Sequence, residues 1–186
     1  MIKIPKFFHE ILGEFQTKSS LLVIALFLLI SGFTLGLLTY EEWRGLSLLK
    51  QIVICLLFLD ISGGVIANLT RGTDIFYKQR PRMRWIFIAI HIQPIILSWA
   101  MEISIYYGLI ICGYTLVSAT FLNLIRSYSI QNLIAGGLTG LGLLIVAYYS
   151  HTTPLFVSTL FLFYIFKVLY SFSVFHHRGS SNEQTN

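Results

Sequence analysis

Six apolar stretches, each close to the length that a bilayer demands, occupy nearly all of this 186-residue chain. They run over about residues 20–40, 48–69, 85–101, 103–125, 132–150 and 153–175. A helix rising 1.5 Å per residue needs about 20 apolar residues to cross the ~30 Å hydrocarbon core. Only helices and closed barrels keep every backbone polar group paired there. The runs therefore predict an all-α, polytopic transmembrane bundle of six spans. Charged residues make up 11% of the chain, against about 25% in soluble domains, too few to cover a globule in water. The loops are too short to hold a soluble enzyme, so any chemistry belongs in the bundle or at its edge.

The positive-inside bias sets the orientation. With six spans, one side of the membrane holds Lys3, Lys6, Lys18, Arg71, Lys78, Arg80, Arg82, Arg84, Arg126 and Arg178. The other holds Arg44 and Lys50, while Lys167 falls inside the last span. Both termini are thus expected in the cytoplasm, and the net charge of +5 reflects orientation, with no nucleic-acid partner implied. Ahead of the first span, Ile4, Phe7, Phe8, Ile11, Leu12 and Phe15 recur at helical spacing, with Lys6, His9, Glu10, Glu14 and Lys18 opposite. This predicts an amphipathic helix over 4–18 lying in the headgroup region. The expected organisation is an interfacial segment (1–19), the bundle (20–175) and a polar cytoplasmic tail (176–186).

Two charges stand where hydrocarbon disfavours them. A carboxylate or ammonium near the bilayer centre costs at least ~2.5–3.5 kcal/mol on insertion scales, so Asp60 and Lys167 must meet partners or water. On a helix Asp60, Gly64, Ala67, Asn68 and Arg71 share a face. In the third span His91, Ser98 and Glu102 share another, at offsets of seven and eleven, with Pro94 just after His91. Proline frees a backbone carbonyl around that histidine. Counted from the basic side, Asp60 is about ten residues deep, His91 about seven and Lys167 eight or nine. The depths differ by only ~5 Å. Asp60, Asn68, His91 and Lys167 are accordingly the candidate intramembrane cluster, with Asp60 and His91 the candidate acid and base should the protein be an enzyme. An Asp60–Lys167 pair joining the second and sixth spans is the leading structural account, and a polar rivet is its plainest meaning. Arg71, Arg80, Arg82 and Arg84 are candidates for contact with anionic lipid headgroups.

Gly32-x-x-x-Gly36 and Gly136-x-x-x-Gly140 are helix-packing patterns, toward this chain, a membrane partner or a second copy. Cys55 and Cys112 are read as small buried hydrophobes. No zinc-ligand spacing, phosphate cradle or nucleophile motif occurs, and neither a metal nor a cofactor is implied. Thr153 followed by Pro154 predicts the N-terminal cap and first turn of the sixth span.

The string Asp60-x-x-Gly63-Gly64-x-x-x-Asn68-x-Thr70, then a basic loop and His91-x-x-Pro94, resembles a pattern in uncharacterised bacterial integral membrane proteins. The resemblance covers residues 58–95 and implies a bacterial plasma membrane and one shared site for Asp60, Asn68 and His91, without an activity. Three classes of function follow from the residues: a small structural or accessory bundle, which the composition favours, a proton- or ion-coupled transporter, or a membrane-embedded enzyme acting on lipid at the cytoplasmic leaflet.

Overall fold

The structure is a computed structural model that describes residues 1–125 and 128–176. Arg126, Arg178 and the tail from residue 177 onward lie outside the described residues. Six helical segments are long and apolar enough to cross a membrane: Lys18–Trp43, Leu48–Ala67, Pro81–Ala100, Ile105–Leu124, Ser129–Tyr149 and Leu155–Phe172. The chain is a polytopic membrane protein built as an all-α bundle.

The amphipathic segment ahead of the first span is not one helix. It is a short paired unit, with β1 (Ile2–Lys3) antiparallel to β2 (Phe15–Gln16) and a 3-10 turn (Lys6–Phe8) and helix α1 (His9–Leu12) between them. Gly13 ends α1 at φ 71°, a conformation that favours glycine. It also touches the backbone of Gly72, and a side chain on either glycine would overlap main-chain atoms. Backbone approach of that kind bends the chain back over helix α4 (Arg71–Lys78), which a straight amphipathic helix could not achieve. Tyr77 Oη donates to Glu10 O at 2.8 Å, Arg80 pairs with Glu14 at 2.5 Å, and Gln16 Nε2 donates to Thr70 Oγ1 at 2.6 Å. Burial, with the Glu10 carboxylate adding, holds the Tyr77 phenol well above its ordinary pKa, so it remains a donor.

The first span, α2 (Lys18–Trp43), starts at Thr17, whose hydroxyl accepts from Ser20 N at 3.0 Å. It buries few of its own residues and packs chiefly on the second span, α3 (Leu48–Ala67). Its apolar surface is therefore left to lipid, as expected where the solvent is hydrocarbon. The sixth span is the opposite case. Helix α9 (Leu155–Ile165) and the π-helical segment Phe166–Phe172 sit at the centre, with Leu160, Tyr164, Ile165, Val168 and Leu169 fully buried. They pack on α3, on α7 (Ile105–Leu124) and on α8 (Tyr128–Tyr149).

The third span is broken. Helix α5 (Pro81–Ile90) and helix α6 (Gln93–Ala100) are separated at His91 and Ile92. Pro94 has no N–H to continue the ladder, and His91 N reaches back to Ile88 O at 3.4 Å. His91, Ser98 and Glu102, expected on one face, are not joined by one continuous helix: His91 stands at the break, Ser98 in α6 and Glu102 beyond it. Ser98 Oγ donates to Pro94 O at 2.9 Å, and Glu102, at the far end of the bundle, pairs with Lys50 at 2.6 Å. Glu102 itself makes the turn into α7 at φ 57°, a tight reversal without Gly or Pro. Here α6 and α7 lie in contact, and a Cβ on Gly108 would overlap the backbone of Pro94 and approach Ile95 Cα to 2.8 Å.

The start of the sixth span also differs from the cap expected at Thr153. Pro154 is extended (φ −54°, ψ 150°) and the helix begins at Leu155. Leu155 N and Phe156 N, two of the unpaired donors at every helix start, donate to the Glu42 carboxylate at 3.0 and 2.8 Å. Thr153 Oγ1 donates back to Tyr149 O at 3.0 Å and accepts from Ser158 Oγ at 2.7 Å.

Candidate functional site

The break in the third span leaves carbonyls without helical partners, and side chains take them. His91 Nδ1 donates to Phe87 O at 2.5 Å. His91 O accepts from Tyr164 Oη at 2.6 Å, with Cys112 Sγ at 3.8 Å. Buried backbone groups are nearly always paired, and these contacts fix the imidazole in place, stacked on Phe87 at 3.6 Å between ring centroids. Because a carbonyl can only accept, Nδ1 carries the proton in the neutral ring and Nε2 presents its lone pair. This tautomer is assigned from the bonding partner.

Across from His91, Lys167 Nζ lies 3.0 Å from Asp60 Oδ2. Gln93 Nε2, two residues after His91 on the other side of the break, donates to the same carboxylate oxygen. The pair is asymmetric: the Lys167 side chain is 2% exposed and that of Asp60 40%. Lys167 threads past Gly64, where an added Cβ would overlap the lysine stem, with Cδ at 2.7 Å. Its ammonium also sits 5.8 Å from the Phe87 ring centroid, a favourable cation–π distance. The π-helical segment begins immediately around Lys167. Such wide turns occur frequently at functional sites, and here Ser171 Oγ ties this one to Val65 O of α3 at 2.8 Å.

Asp60, Gly64, Asn68, His91 and Lys167 line one cavity of about 160 Å³ together with Glu10, Ile11, Tyr77, Phe87, Ile90 and Gln93. All four residues of the expected intramembrane cluster meet there. Three polar atoms in its wall are buried without a hydrogen-bond partner: His91 Nε2, Asn68 Nδ2 and Gln93 Oε1. Helix α3 packs on α6 but hardly touches α5. A wedge is thus left between α3 and α5, with Ile86 and Ile90 exposed beside it. Asp60 lies seven residues before the end of α3, about 10 Å along the helix, which sets the cavity toward the basic end of the bundle. Glu10 and Ile11 of the N-terminal unit close its top.

The four arginines divide. Arg71 and Arg82 are exposed, and Arg71 borders a separate groove of about 500 Å³ against Phe15, Thr17 and Ile75. Arg80 is held by Glu14 and lies 4.3 Å from the Phe76 ring. Arg84 is turned inward rather than toward headgroups. It is 5% exposed, donates to Asn123 Oδ1 at 2.9 Å and Ser173 O at 3.1 Å, and stacks on Phe175. None of the four lines the cavity. Cys112 is buried, whereas Cys55 faces outward. Gly136, Gly137 and Gly140 form an open face of α8, with none of the described residues within 4 Å of where their Cβ atoms would stand.

Gln93, Tyr77, Tyr164 and Glu10 were not singled out by the sequence. For Gln93 a signal existed, an amide beside Pro94 inside an apolar run. The others needed the fold. No protein-family model matches the chain, and no curated protein and no solved structure is significantly similar to it.

Proposed function

We propose that the chain is a multi-pass protein of a bacterial plasma membrane, with its basic end in the cytoplasm, and that its working part is the cavity beside Asp60. The cavity takes the polar end of an amphiphile, which enters sideways from the cytoplasmic leaflet through the wedge between α3 and α5. The observation that carries this reading is the set of three buried, unpartnered polar atoms, His91 Nε2, Asn68 Nδ2 and Gln93 Oε1, in the wall of one cavity. Leaving a buried donor or acceptor unpaired costs about 1–3 kcal/mol each, and these three are gathered on residues of one cavity wall, whereas Trp43 Nε1, Ser62 Oγ and Thr139 Oγ1, also unpartnered, lie on α2, α3 and α8 away from it. Apolar Ile11, Ile90 and Phe87 around a polar floor suit a headgroup whose tail stays in the leaflet. Where the bound head is also modified, His91 Nε2 is the group placed to take a proton, with Asp60 beside it.

A structural or accessory role through the open Gly136–Gly140 face of α8 is the competing reading, supported by the absence of any neighbour there among the described residues. A proton- or ion-coupled carrier would use the same Asp60–Lys167 pair, in which the Lys167 side chain is 2% exposed and that of Asp60 40%.

The test compares the lipids that co-purify with the wild-type protein and with Ile90→Trp, which fills the mouth and leaves the polar groups untouched. An amphiphile enriched with the wild type and lost from the variant is the expected result. Identical lipid complements from two equally folded proteins would remove the lateral headgroup site.

A further inference from the structure

Resting on that reading, we propose that the head accepted by the cavity is an uncharged, hydroxyl-bearing one, of the glycerol or lipid-alcohol class, and not a phosphate. Hydrogen-bond valence is the first argument. With Nδ1 given to Phe87 O, His91 Nε2 can only accept, and with its Nε2 given to Asp60, Gln93 presents only its Oε1 acceptor. Asn68 Nδ2 is a free donor. The lining residues His91, Gln93 and Asn68 therefore carry two orphan acceptors and one orphan donor, all three enclosed in the wall. Phosphate oxygens accept and do not donate once ionised, so they would leave both acceptors unpaired. A hydroxyl donates once and accepts twice. Two hydroxyls on neighbouring carbons could supply both acceptors and take the Asn68 N–H.

Charge points the same way. The cavity's lining holds one lysine, already engaged by Asp60, and a second carboxylate in Glu10. With His91 neutral, the excess is negative and repels an anionic head. The arginines that would reverse this lie elsewhere, with Arg84 bonded to Asn123 and Arg80 to Glu14. Size agrees as well. A volume of about 160 Å³ corresponds to roughly five waters at ~30 Å³ each, space for a small polyol head. Desolvating a neutral hydroxyl at this depth also costs far less than desolvating a charge.

The experiment titrates the full-length protein, in one detergent, with a monoacylglycerol and with the lysophosphatidic acid of the same acyl chain, counting bound lipid by native mass spectrometry. The monoacylglycerol is expected to bind at least about tenfold more tightly, the scale of one unpaired buried acceptor. Asn68→Leu, which deletes the orphan donor, and Ile90→Trp, which blocks the mouth with every polar atom kept, should each weaken it about tenfold. Equal or tighter binding of lysophosphatidic acid, still lost in Ile90→Trp, overturns the hydroxyl assignment and leaves the headgroup site standing. Free glycerol that displaces the monoacylglycerol at matched concentration keeps the hydroxyl chemistry and overturns the lateral route. Failure of both lipids to bind the wild type overturns both.

Discussion

The unequal burial of the Asp60–Lys167 pair predicts unequal costs when its members are removed. Asp60→Asn leaves the Lys167 ammonium, 2% exposed and deep in the sixth span, without a countercharge. Removing one partner of a buried pair typically destabilises by about 3–5 kcal/mol, because the charge left behind is uncompensated. Lys167→Met is different. Its stem is roughly conserved in volume, and the Asp60 side chain, 40% exposed, keeps its bond from Gln93 and gains water. That variant should cost about 1–2 kcal/mol, the scale of one lost charge-assisted hydrogen bond. The double variant removes both charges and should be about 2 kcal/mol more stable than Asp60→Asn alone, because replacing a buried pair with neutral groups is often close to neutral. Equilibrium unfolding of the three variants in mixed micelles, read by helical signal, measures the cycle. If Lys167→Met proves as damaging as Asp60→Asn, and the double variant no better than either, then the lysine is not the stranded charge and the burial argument fails.

Two further outcomes follow from close backbone approach and capping. Gly108→Ala should destabilise by about 1–3 kcal/mol, since its Cβ would meet Pro94 and Ile95 main chain rather than a movable side chain. Gly136→Ala, with open space around it, should stay within about 0.5 kcal/mol, and thermal midpoints of the two compared side by side check the contrast. Glu42→Ala removes both acceptors at the start of α9 and should cost about 1–2 kcal/mol. Faster amide exchange at residues 155–158 would locate the loss, and unchanged exchange there would refute the capping role.

Much of this architecture was legible one residue at a time. Hydrocarbon admits only chains whose backbone is internally satisfied and whose side chains are apolar, so six runs of the right length specify six helices whatever their neighbours. The same cost singles out Asp60 and Lys167, because a charge at that depth needs a partner wherever the partner lies in the sequence. Depth counting placed them, with Asn68 and His91, at one level, since helical rise converts position into distance without knowledge of the fold.

What depth cannot give is angle. Whether two helices at one level face each other depends on packing, and only the tertiary structure decided that α3 leans on α6 and away from α5, opening the wedge at Asp60. The break at His91 leaves Ser98 and Glu102 beyond it, bonded to Pro94 O and Lys50, and Gln93, the first residue of α6, reaches Asp60. Periodicity assumes an unbroken helix, so it misassigns every residue beyond such a break. For the same reason 4–18 reads as one amphipathic helix although Gly13 and Gly72 meet backbone to backbone and fold it over α4. Arg84 resembles its exposed neighbours in the basic loop until Asn123, Ser173 and Phe175 enclose it. The sequence by itself determined what must be satisfied, namely the backbone in lipid and the two buried charges. The fold decided which atoms satisfy them and which three were left unpaired on the residues of one cavity wall, because that depends on contacts between residues far apart in the chain.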